Sequence, residues 1–282
     1  MSAQRSKKEQ AYLYDLYVAP HWSERFAELA DEHLQLPKKG RVLYVGSGTG
    51  GHALALAERH APELSFVCLD ESAERTELAQ AKAVALKLDA RVEFRLSQLE
   101  TLNFEDEAFD FVIGDASLVA PERLPEIAAE MARVARSKAT IALILTTASS
   151  FGEFFSIYWE ALTNTGLEAH AAKVESLINE LPTTSDVETL LARAGLVKIQ
   201  SWTQREDFEF ETGESFTTAP LLTDFLFTSW FEFLSEVEQA QVTGEVERLI
   251  NEERQGGEWA LSIKATLASG RKAKQILLTS KS

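Results

Sequence analysis

The chain has little sulfur and no apolar run of bilayer length. Its single cysteine, Cys68, lies within the apolar stretch LSFVCLD, so no intrachain disulfide can form. No segment approaches the roughly 20 consecutive apolar residues that span a membrane. The N-terminal MSAQRSKKEQ is polar, and no apolar segment follows it as a secretory signal would require. A cytoplasmic protein without membrane partners is the simplest expectation. Positive charge is also scarce: 28 Lys and Arg stand against 44 Asp and Glu, a formal net charge of −16, and residues 201–260 hold 3 basic and 14 acidic side chains. Phosphate backbones are bound through lysine and arginine, so nucleic acid is disfavoured as a partner. The five histidines are scattered without metal-ligand spacing, and no G-x-S-x-G turn occurs. Neither a metal centre nor a serine nucleophile is expected.

What is present is an alternation of strand-like and helix-like segments. Residues 10–35 carry helical apolar spacing with a break near Pro20, and Pro37 to Gly40 punctuates the chain before RVLYVG, the first strand. HALALAERH reads as a helix, LSFVCLD as a strand, ESAERTELAQAKAVALKL as a helix, RVEFRL and FDFVIGD as strands, PEIAAEMARVAR as a helix and TIALILTT as a strand. Short apolar strands alternating with amphipathic helices imply a mainly parallel, doubly wound α/β sheet covered on both faces. The character then changes. SSFGEFFSIYWEAL reads as an aromatic helix, and Ser185 with Glu188 as a capping box for a helix ending near Gly195. VKIQSWTQREDFEF alternates like a strand, LLTDFLFTSWFEFL forms a second aromatic helix, and a polar helix surrounds Glu245–Asn251. Gly256-Gly257 precedes a last strand, WALSIKATLAS. The expected organisation is an N-terminal helical lid at 1–40, an α/β core at 41–147, and helical cap insertions with the remaining strands of the same domain at 148–282.

Behind the first strand, GSGTGG places four glycines within six positions, at 46, 48, 50 and 51. Glycine permits positive φ and close approach of a ligand, and a following helix offers unpaired N–H groups and a positive dipole end. Asp70, 24 positions after Gly46, ends the second strand, where a carboxylate can accept bonds from ribose hydroxyls; the alternative is an N-cap for the next helix. FDFVIGD supplies a strand whose end lies beside the first, at the switch point of the sheet. The glycine spacing satisfies both G-x-G-x-x-G and G-x-G-x-G, so the loop alone does not decide between a nicotinamide dinucleotide and another nucleoside cofactor.

The wider layout decides more. VLYVGSGTGGHALALAE, VEFRLSQLETLNFEDEAFDFVIGDASL and ARAGL before a strand resemble the successive motifs of class I S-adenosylmethionine-dependent methyltransferases of the type 11 small-molecule group, over about residues 10–205. The resemblance implies a Rossmann-like methyltransferase fold with an antiparallel last strand, and S-adenosylmethionine as cofactor. It implies that Gly46, Ser47, Gly48 and Gly50 underlie the methionine and ribose, and that Asp70 holds the ribose. Ser97 and Gln98 would flank the adenine, Asp115 would lie near the methionine part, and Tyr14 and Tyr17 would close over the site. Tyr44 stands where the family usually has an acidic residue, and RSKAT replaces its usual Pro-Gly-Gly turn before the fifth strand.

Methyl transfer is an in-line displacement that positioning and desolvation can drive, so no catalytic residue is implied; His52 and His21 are the only histidines near the expected site. Phe155 and Trp159 in the first aromatic helix, with Phe227 and Trp230 in the second, are candidate walls for a small, apolar or aromatic acceptor. Core packing, or a homodimer contact, are the other uses of such helices. A non-catalytic cofactor binder or scaffold, and an NAD(P)-dependent oxidoreductase, are the competing functions.

Overall fold

The computed structural model describes residues 5–253 and 257–274. The N-terminal segment runs as α1 (Lys7–Leu13), a π-helical stretch (Tyr14–Ser23) and α2 (Glu24–His33) without interruption. Pro20 therefore does not break the helix as expected. It sits inside the π-helical stretch, whose wider turns accommodate the ring and the missing donor. Then follow β1 (Gly40–Val45), α3 (Gly51–Arg59), β2 (Leu64–Asp70), α4 (Ala73–Ala85), β3 (Val92–Leu96), β4 (Phe109–Asp115), α5 (Leu124–Val134) and β5 (Ala135–Thr146). The second half comprises α6 (Gly152–Asn164), α7 (Ala171–Glu180), α8 (Thr184–Arg193), β6 (Leu196–Phe210), the short α9 (Gly213–Thr217) and α10 (Phe227–Trp230), α11 (Glu236–Glu253) and β7 (Trp259–Lys272).

The seven strands are ordered β3-β2-β1-β4-β5-β7-β6. Every neighbouring pair from β3 to β5 is parallel, and β7 lies antiparallel between β5 and β6. The doubly wound sheet with an antiparallel last strand is as expected. Strand alternation covers both faces: Val42 and Tyr44 of β1 join a core with Trp22, Phe66, Phe154 and Leu261, while Leu43 and Val45 face Ile127 and Met131 of α5 and Val187 of α8. The first core takes in the N-terminal segment, the sheet and the cap helices together. Sheet order reverses at β1 and β4, whose carboxyl ends open the crevice described below.

Four local expectations are corrected. The cap of α8 is Thr183 with Asp186, two residues ahead of Ser185 and Glu188, because Thr183 accepts from the Asp186 N–H and Asp186 answers the Thr183 N–H. RSKAT is no turn: α5 passes directly into β5, which carries a register shift opposite Phe109 and Phe111, with Lys138 at φ 67°. The second aromatic segment is not one helix but a π-helical turn (Leu222–Leu226), then α10 and a turn. Apolar residues on all its faces bury better along a bent path than along a rod. The polar helix is longer than read, spanning Glu236–Glu253, and α7 was not anticipated. Gly256 lies outside the described residues.

Candidate active site

After Val45 the chain turns through Gly46–Gly50 into α3. Gly46 has φ 74°, and a Cβ there would run into the Asp115 carbonyl oxygen at the end of β4. At Gly48, φ 55°, a Cβ would stand 2.6 Å from the Tyr14 hydroxyl. Glycine is thus required by the neighbouring strand on one side and the N-terminal segment on the other. The loop is pinned from below: Ser47 N–H donates to the Leu69 carbonyl at 2.8 Å and Gly48 N–H to Asp70 Oδ2 at 2.9 Å. The Ser47 hydroxyl oxygen is buried and has no partner.

Asp70 is buried at the end of β2. Its Oδ1 accepts from Ser72 N–H at 2.8 Å and from the Arg75 guanidinium at 2.7 Å. Ser72, not Asp70, caps α4, which leaves Asp70 free to face the loop. Burial raises the Asp70 carboxyl above the usual carboxylate range, against the opposing pull of Arg75 and the backbone donors. Asp115 ends β4 and accepts from Ser117 N–H at 2.9 Å; burial raises it too, and the nearby Asp70 charge adds to the effect. The crevice therefore presents two carboxylates that lack full solvation and favour a cationic ligand.

The N-terminal segment lies over this floor. Tyr14 rests on Gly48, its hydroxyl 3.0 Å from Ser23 Oγ, with the Arg75 guanidinium 5.1 Å from its ring centre. Trp22, fully buried, donates from Nε1 to Ser117 Oγ at 2.9 Å. Asp15 accepts from Thr49 Oγ1 at 2.5 Å and from Lys82 Nζ at 2.6 Å, latching the segment to both the glycine loop and α4. The Asp15–Lys82 pair is partly exposed, so Asp15→Ala should cost under about 1 kcal/mol. Hydrogen exchange over residues 7–23 should nevertheless accelerate several-fold, and unchanged protection there would remove the latch.

Two cavities meet at Tyr14 and Asp115. One, of about 240 Å³, is bounded by Gly46, Asp70, Asp115, Leu118, Val119 and Phe225. The other, of about 250 Å³, is bounded by Tyr44, Ser47, His52, Asp31, Arg59 and Asp115.

Residues 42–138 match the family model described as a methyltransferase domain. Over these residues, about a third of the chain, the sequence is that of a methyltransferase domain. Ajmaline N-methyltransferase of Rauvolfia serpentina is 30% identical over 119 residues, 42% of this chain and 40% of that protein. A ubiquinone/menaquinone biosynthesis C-methyltransferase of Geotalea daltonii is 31% identical over 83 residues, 29% of this chain and 35% of that protein. The match thus spans well under half the length of these curated relatives. Among solved structures, the YcgJ protein of Bacillus subtilis superposes with a TM-score of 0.57 at 18% identity, covering 89% of this chain and 99% of that one. Geranyl diphosphate C-methyltransferase of Streptomyces coelicolor, solved with S-adenosyl-L-homocysteine, gives 0.52 at 14% identity, over 89% and 76%. At these identities the structural likeness is one of fold.

The structure brings Gly46, Ser47, Gly48, Asp70, Asp115 and Tyr14 together, whereas Gly50 faces Phe94 and Ala79 and borders neither cavity. Tyr17 does not: it is 53% exposed and borders neither cavity. Ser97 turns its hydroxyl onto the Gln98 carbonyl at 2.9 Å, Gln98 points to solvent, and buried Leu99 lines the crevice instead. The four cap residues do not line the crevice either. Trp230 is 6% exposed and packs against Phe154 at 4.6 Å and Phe151 at 5.0 Å, while Phe227 stacks on Phe231 at 4.4 Å. Trp230 and Phe231 belong to the core, and Phe227 packs against it. Phe155 and Trp159 border a separate groove beside Ile178. The aromatic residue that does reach the crevice is Phe225, 5.6 Å from Tyr14. Sequence reading missed Asp15, Arg75 and Ser117, and did not single out Phe225 among the rings of the second aromatic segment. Only Arg75, about one turn into the helix that follows Asp70, carried a readable signal. Among the described residues no helix is long and apolar enough to cross a membrane, and no three His, Cys, Asp or Glu side chains are placed to hold a metal.

Proposed function

We propose that the protein binds S-adenosylmethionine in the crevice at β1 and β4 and transfers its methyl group to a small molecule with an apolar part. The observation that carries this reading is the 240 Å³ cavity, in which a glycine turn and two buried carboxylates face Leu118, Val119 and Phe225. The residues suit the group. Gly46 and Gly48 leave backbone bare where a Cβ would clash, the Ser47 hydroxyl is an unused buried polar atom, and the carboxylates match a cation. When bound, the cofactor supplies a methyl group on a sulfonium.

The chain's own part is positioning and desolvation. Asp70 is placed to accept from ribose hydroxyls through Oδ2, which among the described residues accepts only the Gly48 N–H. Tyr14 borders the crevice and excludes water from it, which strengthens the carboxylate field at the positive centre. Leu118, Val119 and Phe225 offer the acceptor an apolar surface, a role the cap aromatics do not take. The relatives named above, methylating small molecules by their names, support a small-molecule acceptor, and the acidic surface supports a protein that leaves nucleic acid and membranes alone in the cytoplasm.

The electrostatics predict a pH dependence. Asp70 and Asp115 have raised pKa values, so protonation removes their charge as pH falls through the range above the usual carboxylate value. Affinity for cationic S-adenosylmethionine should therefore drop more steeply than affinity for neutral-sulfur S-adenosylhomocysteine as pH falls from neutrality toward the usual carboxylate range. Parallel titration curves for the two ligands would contradict the carboxylates' role. The function itself is tested by incubating the protein with methyl-labelled S-adenosylmethionine and a small-molecule cell extract. Label should appear in the small-molecule fraction; label confined to protein or RNA, or never leaving a tightly bound cofactor, would overturn the reading.

A further inference from the structure

The outer edge of the sheet carries features that methyl transfer does not explain. Among the described residues β6 has a strand neighbour on one side only, β7. Its other side presents a row of unpaired backbone donors and acceptors, a liability that folded proteins blunt or use. The first part of β6 is blunted. A register shift lies between Val197 and Gln200, Lys198 adopts φ 55°, and α8 packs over this part with Leu191 and Leu196 in one core. From Gln200 to Phe210 the pairing with β7 runs without a shift.

Side chains alternate along this stretch. On the face where α2 lies, Trp202 stacks on His33 at 4.6 Å, and buried Glu206 accepts from Arg25 at 2.9 Å and from Gln204 at 2.8 Å. On the other face Thr203, Arg205, Asp207 and Glu209 are all exposed. Residues 201–260 hold 3 basic side chains against 14 acidic, and one of the three, Arg205, stands at the middle of this edge. It pairs with Asp207 of its own strand at 3.0 Å and lies 3.5 Å from Glu153 of α6. The Arg205 and Asp207 side chains are nevertheless 67% and 47% exposed, so both can take a further partner.

Antiparallel pairing of this edge with a second copy of itself has a register that matches charge. With Glu206 on the two-fold axis, Arg205 stands opposite the partner's Asp207 and Asp207 opposite the partner's Arg205. On the α2 face the same register sets Trp202 opposite the partner's Phe210 at both ends, and each ring is partly exposed in the single chain. A shift of two residues one way brings Arg205 onto the partner's Arg205, and the other way brings Asp207 onto the partner's Asp207. Glu206 meets its counterpart at the axis, but each carboxylate is already answered by Arg25 and Gln204. The crevice lies at β1 and β4, with β5 and β7 between it and this edge, so the pairing leaves it open.

We propose that the protein forms a two-fold homodimer in which two β6 edges pair antiparallel about Glu206 into one continuous sheet. Arg205 and the partner's Asp207 hold the register.

Sedimentation velocity over about 1 to about 200 µM protein tests this on the wild-type chain, Arg205→Asp, Asp207→Arg and the double variant. The wild-type protein should associate to a dimer. Each single reversal leaves like charges facing each other around the axis and should weaken dimerisation by at least about tenfold. The double variant restores the alternation and should recover wild-type association to within about threefold. It also restores the pair within each strand, but an exposed pair of that kind contributes little and does not set the association state. Amide exchange over residues 202–210 should slow as the wild-type concentration rises, which tests the pairing without any substitution. A wild-type protein that stays monomeric, a dimer indifferent to both single reversals, or a double variant no better than the singles each overturns the proposal. So does a dimer whose exchange over 202–210 is independent of concentration.

Discussion

Asp70→Ala is expected to abolish measurable binding of S-adenosylhomocysteine and to lower the unfolding free energy by about 2 kcal/mol. The binding loss follows from removing a buried side-chain acceptor that joins the glycine turn, through Gly48 N–H, to the N-cap of α4, through Ser72 N–H. Without it the turn loses a strut as well as a ligand partner. The stability loss has a different origin. Removing one member of a buried ion pair costs about 3–5 kcal/mol when the other charge is trapped. Arg75 retains 22% side-chain exposure and can swing toward solvent, so the cost should fall to the lower figure. Urea unfolding and calorimetric titration on the same preparation separate the two effects. Wild-type affinity in Asp70→Ala would remove Asp70 from the site, whatever its effect on stability.

Trp230→Ala should be the more damaging change to the fold, costing about 3–5 kcal/mol. The indole packs among Phe151, Phe154 and Phe155, and its backbone carbonyl accepts the Tyr158 hydroxyl at 3.0 Å. Phe151 adopts φ 63°, a strained conformation for a bulky residue, with its ring against Trp22 and Trp230. Truncating Trp230 would open a cavity and free Phe151 to relax, so destabilisation should reach the Trp22 side of the same cluster. The protein that remains folded should keep wild-type affinity for S-adenosylhomocysteine, because no ring of this group borders the crevice. A stable Trp230→Ala variant with altered turnover would return these rings to the acceptor pocket.

How much of this was legible in the sequence depended on whether a residue's role was local. The strands were readable because parallel strands buried on both faces leave uninterrupted apolar runs such as RVLYV and LSFVCLD. The glycine turn was readable because its clash partners, the Asp115 carbonyl and Tyr14, allow no side chain there. Asp70 was readable from its place at a strand end. What failed was three-dimensional. Tyr17 and Tyr14 lie three residues apart, too close in sequence to tell which faces inward once π-helical turns alter the helical period. Ser97 and Gln98 pointed away because the chain after β3 turns Leu99 inward. The aromatic segment around Trp230 looked equally suited to a core and a pocket, since both demand apolar rings. A hydrogen-bonded chain of Asp31, His52 and Tyr44 spans three elements, and His52 alone gave no sign that it joins the other two. Helix boundaries missed where several cap-forming residues were adjacent, as at Thr183–Thr184–Ser185.

The most direct test of the account is calorimetric titration of the intact protein with S-adenosylhomocysteine and, separately, with NAD⁺ and NADP⁺. Saturable one-site binding of S-adenosylhomocysteine that disappears in Asp70→Ala, with no heat from either dinucleotide, is the predicted result. Saturable binding of a dinucleotide with no response to S-adenosylhomocysteine would contradict it.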